Sequence, residues 1–379
     1  MRIAILTLPL HTNYGGILQA YALQIVLERM GHETVILNKS RYRHVSLLGI
    51  PLVYIYRLWR KLFVSNKISV REEKHHNARI KQEEILQLYT RQFVLQHIHV
   101  RNVENCGEIK SGDYDAFVVG SDQIWRKKYI GDTLLASISD AFLGFAKRWN
   151  VRKIAYAASF GVDNWEYSEE ETIIVSQLLK KFHAVSVREE SGVCLCKEYC
   201  GVDAKLVLDP TLLLSGEDYN TLIPNTDQSC AAGLFVYVLD RSKEKDSLIE
   251  RVALHHQLTI NRVGADVENR ALPVAERIQP PVEDWLSGIA NAKMVITDSF
   301  HACLFAIIYH KPFVVIGNPE RGMSRFQSVL SMLNLDNHLL YSIDDYDESS
   351  DYAVDEQCYI LLHEWQNVSY EYMQSALAS

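Results

Sequence analysis

The sequence predicts an α/β protein made of two successive α/β units. Short apolar strands alternate with helical stretches over the first 208 residues and again after residue 233, and this alternation is typical of parallel sheets covered by helices. The polar stretch 215–232, which contains Pro224 and several turn formers, separates the two runs. We therefore predict a first domain at 1–214, a linker at 215–232, a second domain at 233–353 and a C-terminal helix at 354–379.

Size and composition exclude several classes of protein. The chain has 379 residues, 48% of them hydrophobic and 23% charged, which is ordinary for a globular protein of two domains. A net charge of −8 argues against general nucleic-acid binding, and no apolar run is long enough to span a membrane. The start, Met1-Arg2-Ile3, leads into a strand without a signal-peptide pattern, so we expect a cytoplasmic protein.

The cysteines predict no disulfide framework and no metal site. There are seven, an odd number, and this fits reduced thiols. Cys194, Cys196 and Cys200 form a cluster, but their spacing is unusual for zinc. We expect these three residues to lie on the faces of one helix.

The chain opens with a predicted strand at 2–8, a helix at 17–30 followed by Gly31, and a strand at 34–37. The Gly15-Gly16 pair between strand and helix is Rossmann-like, although the spacing is not G-x-G-x-x-G. It predicts a loop whose backbone approaches a ligand other than NAD. The alternative is that the two glycines only permit a tight turn.

A basic, partly apolar segment interrupts the α/β order at 39–81. It contains eleven Lys and Arg against two Glu, a net charge of +9 in a chain whose total is −8. Within it, 45–64 is rich in Leu, Ile, Tyr and Trp, and is too polar to span a bilayer. This composition is typical of a helix that lies on an anionic membrane surface. The alternative is a surface helix that packs on its own domain or on a dimer partner.

The rest of the first domain places polar residues after its strands. The predicted elements are a helix at 72–96, strands at 115–120, 152–158, 184–187 and 205–208, and a helix at 169–181. The strand at 115–120 leads into Ser121-Asp122-Gln123, and Arg188 follows the strand at 184–187. Ligands of parallel α/β sheets bind at such carboxyl ends of strands, so these residues are candidates for a site.

A histidine at a strand–helix turn is the main feature of the second domain. The predicted strands are 234–239, 258–263, 294–297 and 313–316, and the predicted helices are 243–256, 282–292, 302–309, 321–333 and 354–377. The strand at 294–297 ends at Asp298-Ser299, two good N-cap residues, and His301 follows. Free backbone N–H groups at a helix start favour an anion, with which His301 could exchange a proton. The alternative is a partly buried histidine that only packs.

An ordered set of motifs spans nearly the whole chain. They are Asn13-Tyr14-Gly15-Gly16-x-Leu18-Gln19-x-Tyr21-Ala22-Leu23, Val119-Gly120-Ser121-Asp122-Gln123-Ile124-Trp125, Val187-Arg188-Glu189, Leu208-Asp209-Pro210-Thr211-Leu212-Leu213, Thr297-Asp298-Ser299-Phe300-His301-Ala302 and Met323-Ser324-Arg325-Phe326. Together they resemble the polysaccharide pyruvyl transferase family. The resemblance implies a GT-B-like pair of Rossmann-like domains facing across a cleft, with the C-terminal helix returning to the first domain. It also implies transfer of pyruvate from phosphoenolpyruvate to a sugar, of galactose type, in a surface-polysaccharide precursor, as a ketal.

The resemblance also suggests roles for individual residues. His301 is the expected general acid and Asp122 a candidate base. The expected donor-binding residues are Arg188, Ser299, Asp298, Arg321, Arg325 and Asn318, and the expected acceptor-binding residues are Asn13, Gly15, Gly16, Gln19 and Gln123. One position departs from the family, since many members carry Arg where this chain has Ser299. The sequence leaves open how the donor is held there.

Structural roles are the alternative for several of these residues. Arg188 could form a surface salt bridge with Glu189 or Glu190. Arg325 could pair across its own domain, and Asn13, Asp122 and Gln123 could cap helices and form turns.

The resemblance implies two partners, phosphoenolpyruvate as co-substrate and a lipid-linked oligosaccharide acceptor. The composition of 45–64 adds the inner membrane face as an expected partner, and a second copy of the chain in a homodimer is also expected. No further cofactor, metal or nucleic acid is expected. Two other functions remain open on the sequence: a GT-B glycosyltransferase that uses a nucleotide sugar, and a non-catalytic glycan-binding member of the family.

Overall fold

The computed structural model describes residues 1–39, 50–63, 80–130, 137–224, 233–318 and 321–378. In these ranges the strands are β1 (Arg2–Leu6), β2 (Glu33–Lys39), β3 (Val100–Val103), β4 (Ala116–Val119), β5 (Arg152–Ala158), β6 (Ala184–Val187), β7 (Lys205–Leu206), β8 (Leu234–Tyr237), β9 (Ile260–Arg262), β10 (Met294–Thr297), β11 (Phe313–Ile316) and β12 (Leu339–Leu340). They form two sheets, in the orders β3-β2-β1-β4-β5-β6-β7 and β12-β11-β10-β8-β9. Every strand pair is parallel.

The helices connect the strands and cover the sheets. They are α1 (Tyr14–Arg29), α2 (Ile50–Phe63), α3 (80–86), α4 (Leu88–His97), α5 (Ile138–Ala141), α6 (Glu169–Leu179), α7 (Glu190–Leu195), α8 (Gly216–Asn220), α9 (Lys243–His255), α10 (Val282–Ala290), α11 (Phe300–Ile308), α12 (Ser324–Met332) and α13 (Glu356–Leu377). The central strands β4, β8, β10 and β11 are buried along their whole length, as expected for parallel strands with helices on both faces. The predicted α/β class is confirmed.

The two domains pack directly on each other. The Tyr14 hydroxyl, in the first turn of α1, donates to the carbonyl of Pro280 at 2.8 Å. A Cβ on Gly322, whose φ is +92°, would lie 1.8 Å from the carbonyl oxygen of Gly161. The two backbones therefore meet where neither has a side chain. The expected pair of Rossmann-like domains facing each other, the GT-B-like arrangement, is confirmed.

The C-terminal helix α13 returns to the first domain, as expected. The Ser369 hydroxyl accepts a hydrogen bond from the backbone N–H of Leu208 at 3.0 Å. The Tyr372 hydroxyl donates to the carbonyl of Ala155, in β5, at 2.8 Å. These bonds tie the end of the chain to the strands of the first sheet.

Several element boundaries differ from the prediction. Helix α1 begins at Tyr14, three residues before the predicted start, so Gly15 and Gly16 belong to its first turn and the predicted glycine loop is wrong. Asn13 makes this possible, because its side chain caps the helix by accepting from the Gly16 N–H. Helix α12 begins at Ser324 and not at 321, since the positive φ of Gly322 interrupts the helical backbone. Strands β3 and β12 were not predicted, because such short edge strands carry little apolar pattern.

Some predictions fall partly outside the described residues. Of the basic segment 39–81, positions 40–49 and 64–79 lie outside them, as does 225–232 of the linker. Helix α2 lies inside the predicted interfacial stretch, and α3 and α4 occupy most of the predicted helix at 72–96, with a turn at Gln87. Cys194, Cys196 and Cys200 lie on α7 and its π-helical extension, as expected. Among the described residues, no helix is long and apolar enough to cross a membrane.

Candidate active site

His301 lies in the first turn of α11, at the contact between the two domains. Its residue is 5% exposed. The imidazole packs directly on α1, because a Cβ on Gly15 would lie 2.1 Å from its Nδ1. Gly15 therefore leaves room for a side chain of the other domain. The sequence pattern predicts the approach of a ligand to the Gly15-Gly16 backbone, and the group that lies against Gly15 is this imidazole.

Asp209 faces His301 from the first domain. One of its carboxylate oxygens lies 3.7 Å from His301 Nε2, an atom that is buried and has no hydrogen-bond partner in the described part of the chain. The Asp209 carboxylate also accepts from Arg188 at 2.7 Å and from the Ser121 hydroxyl at 3.0 Å. Burial by itself raises the pKa of the Asp209 carboxyl, but His301 and Arg188 outweigh it and hold the pKa well below its usual range. Asp209 is thus a negative charge beside the imidazole at neutral pH.

Arg188 joins two buried carboxylates of the first domain. Its two terminal nitrogens donate to Asp209 at 2.7 Å and to Asp122 at 2.9 Å, and its Nε lies 4.0 Å from Glu189. The residue is 2% exposed, so the surface salt bridge considered as its alternative does not describe it. Its guanidinium carbon lies 4.7 Å from the centre of the Phe300 ring. The guanidinium group of Arg188 therefore contacts the face of the Phe300 ring in the α11 turn, while its terminal nitrogens bind carboxylates.

Asp122 follows β4 in a left-handed backbone conformation, with φ of +66°. Such a conformation is uncommon for a residue other than glycine and concentrates at functional sites. Burial raises the pKa of its carboxyl, but the nearby Arg188 and His301 outweigh it and keep the pKa below its usual range. An ionised carboxylate of this kind holds Arg188 well and accepts protons weakly.

Arg325 approaches Phe300 from helix α12. Its guanidinium carbon lies 5.2 Å from the ring centre, and one terminal nitrogen donates to the carbonyl of Arg321 at 2.7 Å. Its Nε is buried and has no hydrogen-bond partner among the described residues. Burial, together with the nearby Arg188, lowers the pKa of Arg325 to about 10. No carboxylate of the described residues forms an ion pair with it, so this arginine is a suitable ligand for a bound anion.

The other predicted donor residues organise the loops after β8, β10 and β11. Asp298 accepts from the N–H groups of Leu239 and Asp240 and from Lys245 Nζ, at 2.6, 3.1 and 2.7 Å. The Asp240 carboxylate in turn accepts two hydrogen bonds from Arg321, one of them at 2.8 Å. It also accepts a hydrogen bond from the Asn318 side chain. Asp298 thus has its carboxylate bound within the protein, and Arg321 is held in place by Asp240.

Ser299 is the N-cap of α11, but its side chain makes no capping bond. Its hydroxyl is consequently not committed to the helix, and the first N–H groups of α11 lack the usual side-chain acceptor. Many members of the family that the motifs resemble carry Arg at this position. In this chain an anion would instead meet the Ser299 hydroxyl and backbone N–H groups.

The predicted acceptor residues of the first domain have different environments. Gln19 is buried, donates to Thr7 and the Gly16 carbonyl, and accepts from the Ser121 N–H at 3.0 Å. Gln123 accepts from Arg126 at 3.1 Å. Asn13 is exposed and lines a cleft of about 480 Å³ between the domains. Asn13 is therefore placed to meet a large ligand.

The cleft lies at the carboxyl ends of β8 and β9, opposite Thr12 and Asn13 of the first domain. Its charged lining residues carry both signs: Asp240, Arg241, Arg262, Asp266, Glu268 and Arg321. Such a mixture of carboxylates and guanidinium groups suits the hydroxyls of a sugar. His301 is not among the residues that line the cleft. The candidate proton donor and the open cleft therefore occupy adjacent parts of the contact between the two domains.

Three acidic residues of this region were missed by sequence analysis. Asp209 faces His301, Asp240 holds Arg321, and Glu189 accepts from the N–H groups of Phe160 and Gly161 at 2.7 and 3.1 Å. Burial raises the pKa of the Glu189 carboxyl. Each of the three follows a parallel strand, and that position was the available signal.

Comparisons with known proteins agree with the motifs. The model of the family described as polysaccharide pyruvyl transferase matches residues 13–320. A search of curated proteins found no match. Matching solved structures include UDP-GlcNAc 2-epimerase from Neisseria meningitidis, at 10% identity, covering 100% of this chain and 95% of that one with a TM-score of 0.47. Another is UGT89C1 from Arabidopsis thaliana complexed with UDP-L-rhamnose, at 7% identity, covering 97% and 94% with a TM-score of 0.49.

The family match covers most of the chain and includes both domains. It begins at Asn13, the N-cap of α1, and extends past His301 and β11 to position 320. All six motifs except the last lie within it. The chain belongs to the polysaccharide pyruvyl transferase family.

Proposed function

We propose that this protein transfers the pyruvyl group of phosphoenolpyruvate to a sugar of galactose type in a lipid-linked precursor of a surface polysaccharide, forming a ketal and releasing phosphate. The observation that carries the proposal is the placement of His301, a proton donor, at the start of α11 and beside the Asp209 carboxylate. Phosphoenolpyruvate needs a proton on its methylene carbon and an anion site for its phosphate and carboxylate. The region around α11 provides both kinds of group.

The proton is supplied by His301. It protonates the methylene carbon, which leaves C2 electron-deficient, and a sugar hydroxyl attacks C2 and returns its proton to the imidazole. The C2–O bond to phosphate then breaks, a second hydroxyl forms the other C–O bond of the ketal, and its proton leaves with the phosphate. The Asp209 carboxylate lies 3.7 Å from Nε2 of this imidazole, on the side of the first domain.

The donor anion is held by Arg325 and by the start of α11. Arg325 is buried, lacks a carboxylate partner in the described part of the chain and has an unbound Nε. Ser299 and the first N–H groups of α11 supply the donors that arginine supplies in many family members. The Phe300 ring joins Arg325 to the α11 turn, since its centre lies 5.2 Å from the guanidinium carbon of Arg325.

The acceptor sugar enters through the cleft between the domains. Asn13 on one side and the charged residues after β8 and β9 on the other offer donors and acceptors to hydroxyl groups. Arg188 donates to Asp122 on the first-domain side of the site, and the two opposite charges keep each other ionised.

Phosphate release tests the proposal directly. The purified full chain is incubated with phosphoenolpyruvate and a panel of galactosides, and released phosphate and product mass are measured. We expect phosphate only when both substrates are present, together with a pyruvylated sugar. Incubation with nucleotide sugars is the matched control. Transfer of a sugar from a nucleotide, without use of phosphoenolpyruvate, would contradict the proposal.

A further inference from the structure

We propose that helix α2 docks the protein on an anionic lipid bilayer, with its apolar face in the membrane interface. The inference is independent of the reaction, since lipid binding needs no substrate. It rests on which side chains α2 exposes and on their charges.

The exposed face of α2 is apolar. Six large hydrophobic side chains are between 50% and 73% exposed: Ile55, Tyr56, Leu58, Trp59, Leu62 and Phe63. At about 100° per residue they occupy one arc of the helix, roughly 160° wide. A water-soluble protein rarely exposes so contiguous an apolar patch without a partner for it.

The polar side of α2 is basic. Arg57, Arg60 and Lys61 lie outside the apolar arc, and the helix contains no acidic residue. The guanidinium of Arg60 lies over the Tyr56 ring at 5.9 Å, at the edge of the arc. The surrounding segment 39–81 has a net charge of +9 by sequence. A helix with an apolar face and a basic opposite face complements anionic lipid headgroups above an acyl layer.

The aromatic residues fit the same orientation. Trp59 and Phe63 lie one turn apart on the exposed face, with ring centres 5.8 Å from each other. Tyr56 joins them at the edge of the arc next to Arg60. Tryptophan and tyrosine favour the headgroup level of a bilayer, where one end of the ring is apolar and the other is wet. A second protein copy would not require the basic face, and this favours lipid as the occupant.

Co-sedimentation of the full chain with vesicles tests the inference. The vesicles contain phosphatidylcholine alone or mixed with phosphatidylglycerol, at low and high salt. We expect binding to the mixed vesicles that weakens with salt. Two double variants should each lower the partition coefficient between mixed vesicles and water by at least about tenfold. They are Trp59→Ser/Leu62→Ser and Arg60→Glu/Lys61→Glu. Leu254→Ser is the matched control, because Leu254 is 81% exposed on another helix, and it should bind as the wild type does.

Three results would overturn the inference. The wild type could stay in the supernatant with both kinds of vesicle, it could bind neutral and anionic vesicles equally, or either α2 variant could bind unchanged. Sedimentation velocity without lipid tests the alternative occupant, a second copy of the chain in a dimer. A wild-type dimer that Trp59→Ser/Leu62→Ser converts to a monomer, with no vesicle binding, would show that a second copy covers this face. Because none of the substituted side chains is buried, unfolding of the variants is not expected, and thermal melting checks it.

Discussion

Gly15 and His301 are in direct contact across the two domains, and the imidazole occupies the space that any side chain at position 15 would need. A Cβ at Gly15 would lie 2.1 Å from Nδ1 and 2.7 Å from the Cβ of His301. The Cβ and the Nδ1 edge of this histidine therefore lie against the first turn of α1. The position of the proposed general acid depends on the neighbouring domain.

Gly15→Ala should lower kcat about a hundredfold, because a shift of the imidazole by about 1 Å is enough for such a loss. Gly16→Ala is the matched control. A Cβ there would meet its nearest neighbours at 3.7 Å, an ordinary contact distance, so kcat should change little. Steady-state kinetics and thermal melting of both variants check this. Equal activity of the two alanine variants would contradict the proposed dependence.

Asp209→Asn should destabilise the protein by about 3–5 kcal/mol at neutral pH, since Arg188 then loses a buried ionic partner. The pKa of Asp209 is lowered in the folded state, so its stabilising contribution is present above the usual carboxyl pKa and is lost as the pH falls through the folded-state value. Urea denaturation of wild type and variant should therefore give a large difference at pH 7 that narrows in strong acid. A difference independent of pH would be evidence against the lowered pKa.

Arg188→Met should unfold the protein or destabilise it strongly, because Asp122 and Asp209 would both be left as unpaired buried charges. Changes in donor affinity are secondary to this effect, since the terminal nitrogens of Arg188 already bind carboxylates. Denaturant melts compare Arg188→Met with the double variant Arg188→Met/Asp122→Asn, in which one of the two charges is also removed. The double variant should recover part of the stability, and equal stability of the two would contradict the pairing.

Arg325→Met should instead leave stability unchanged or raise it by about 1 kcal/mol, while abolishing the thermal shift that phosphoenolpyruvate gives the wild type. The cause is that Arg325 is buried near Arg188, and burial together with that charge lowers its pKa to about 10. Differential scanning fluorimetry with and without phosphoenolpyruvate measures both effects. A variant that still gains the full shift would exclude Arg325 from the donor site.

The sequence predicted the fold and part of the site because strand ends are visible in a periodic pattern. The buried run Met294–Thr297 and the N-cap residue Ser299 located the α11 turn, and with it His301. Similar reasoning located Asp122 and Arg188. These positions depend on local sequence alone, so no knowledge of the partner domain was needed.

What could not be predicted depends on contacts between distant residues. The first turn of α1 was assigned to a loop, because only the structure reveals that Gly15 faces His301. Arg188 was expected to contact a ligand, and its bonds to Asp122 and Asp209 link positions 66 and 21 residues away. Asp298 was likewise predicted to bind the donor, and the sequence did not reveal that its carboxylate holds the loop at Leu239 and Asp240. A single sequence does not say which carboxylate faces which cation.

The most direct test of the account compares donor binding with turnover in His301→Gln. This substitution removes the proton donor and keeps a polar side chain of similar reach. Titration calorimetry measures binding of phosphoenolpyruvate, and phosphate release with a galactoside acceptor measures turnover. We expect donor affinity within a few-fold of the wild type and no detectable turnover, because the amide cannot protonate the methylene carbon. A His301→Gln protein that retains most of its kcat would contradict the assignment of His301 as the general acid.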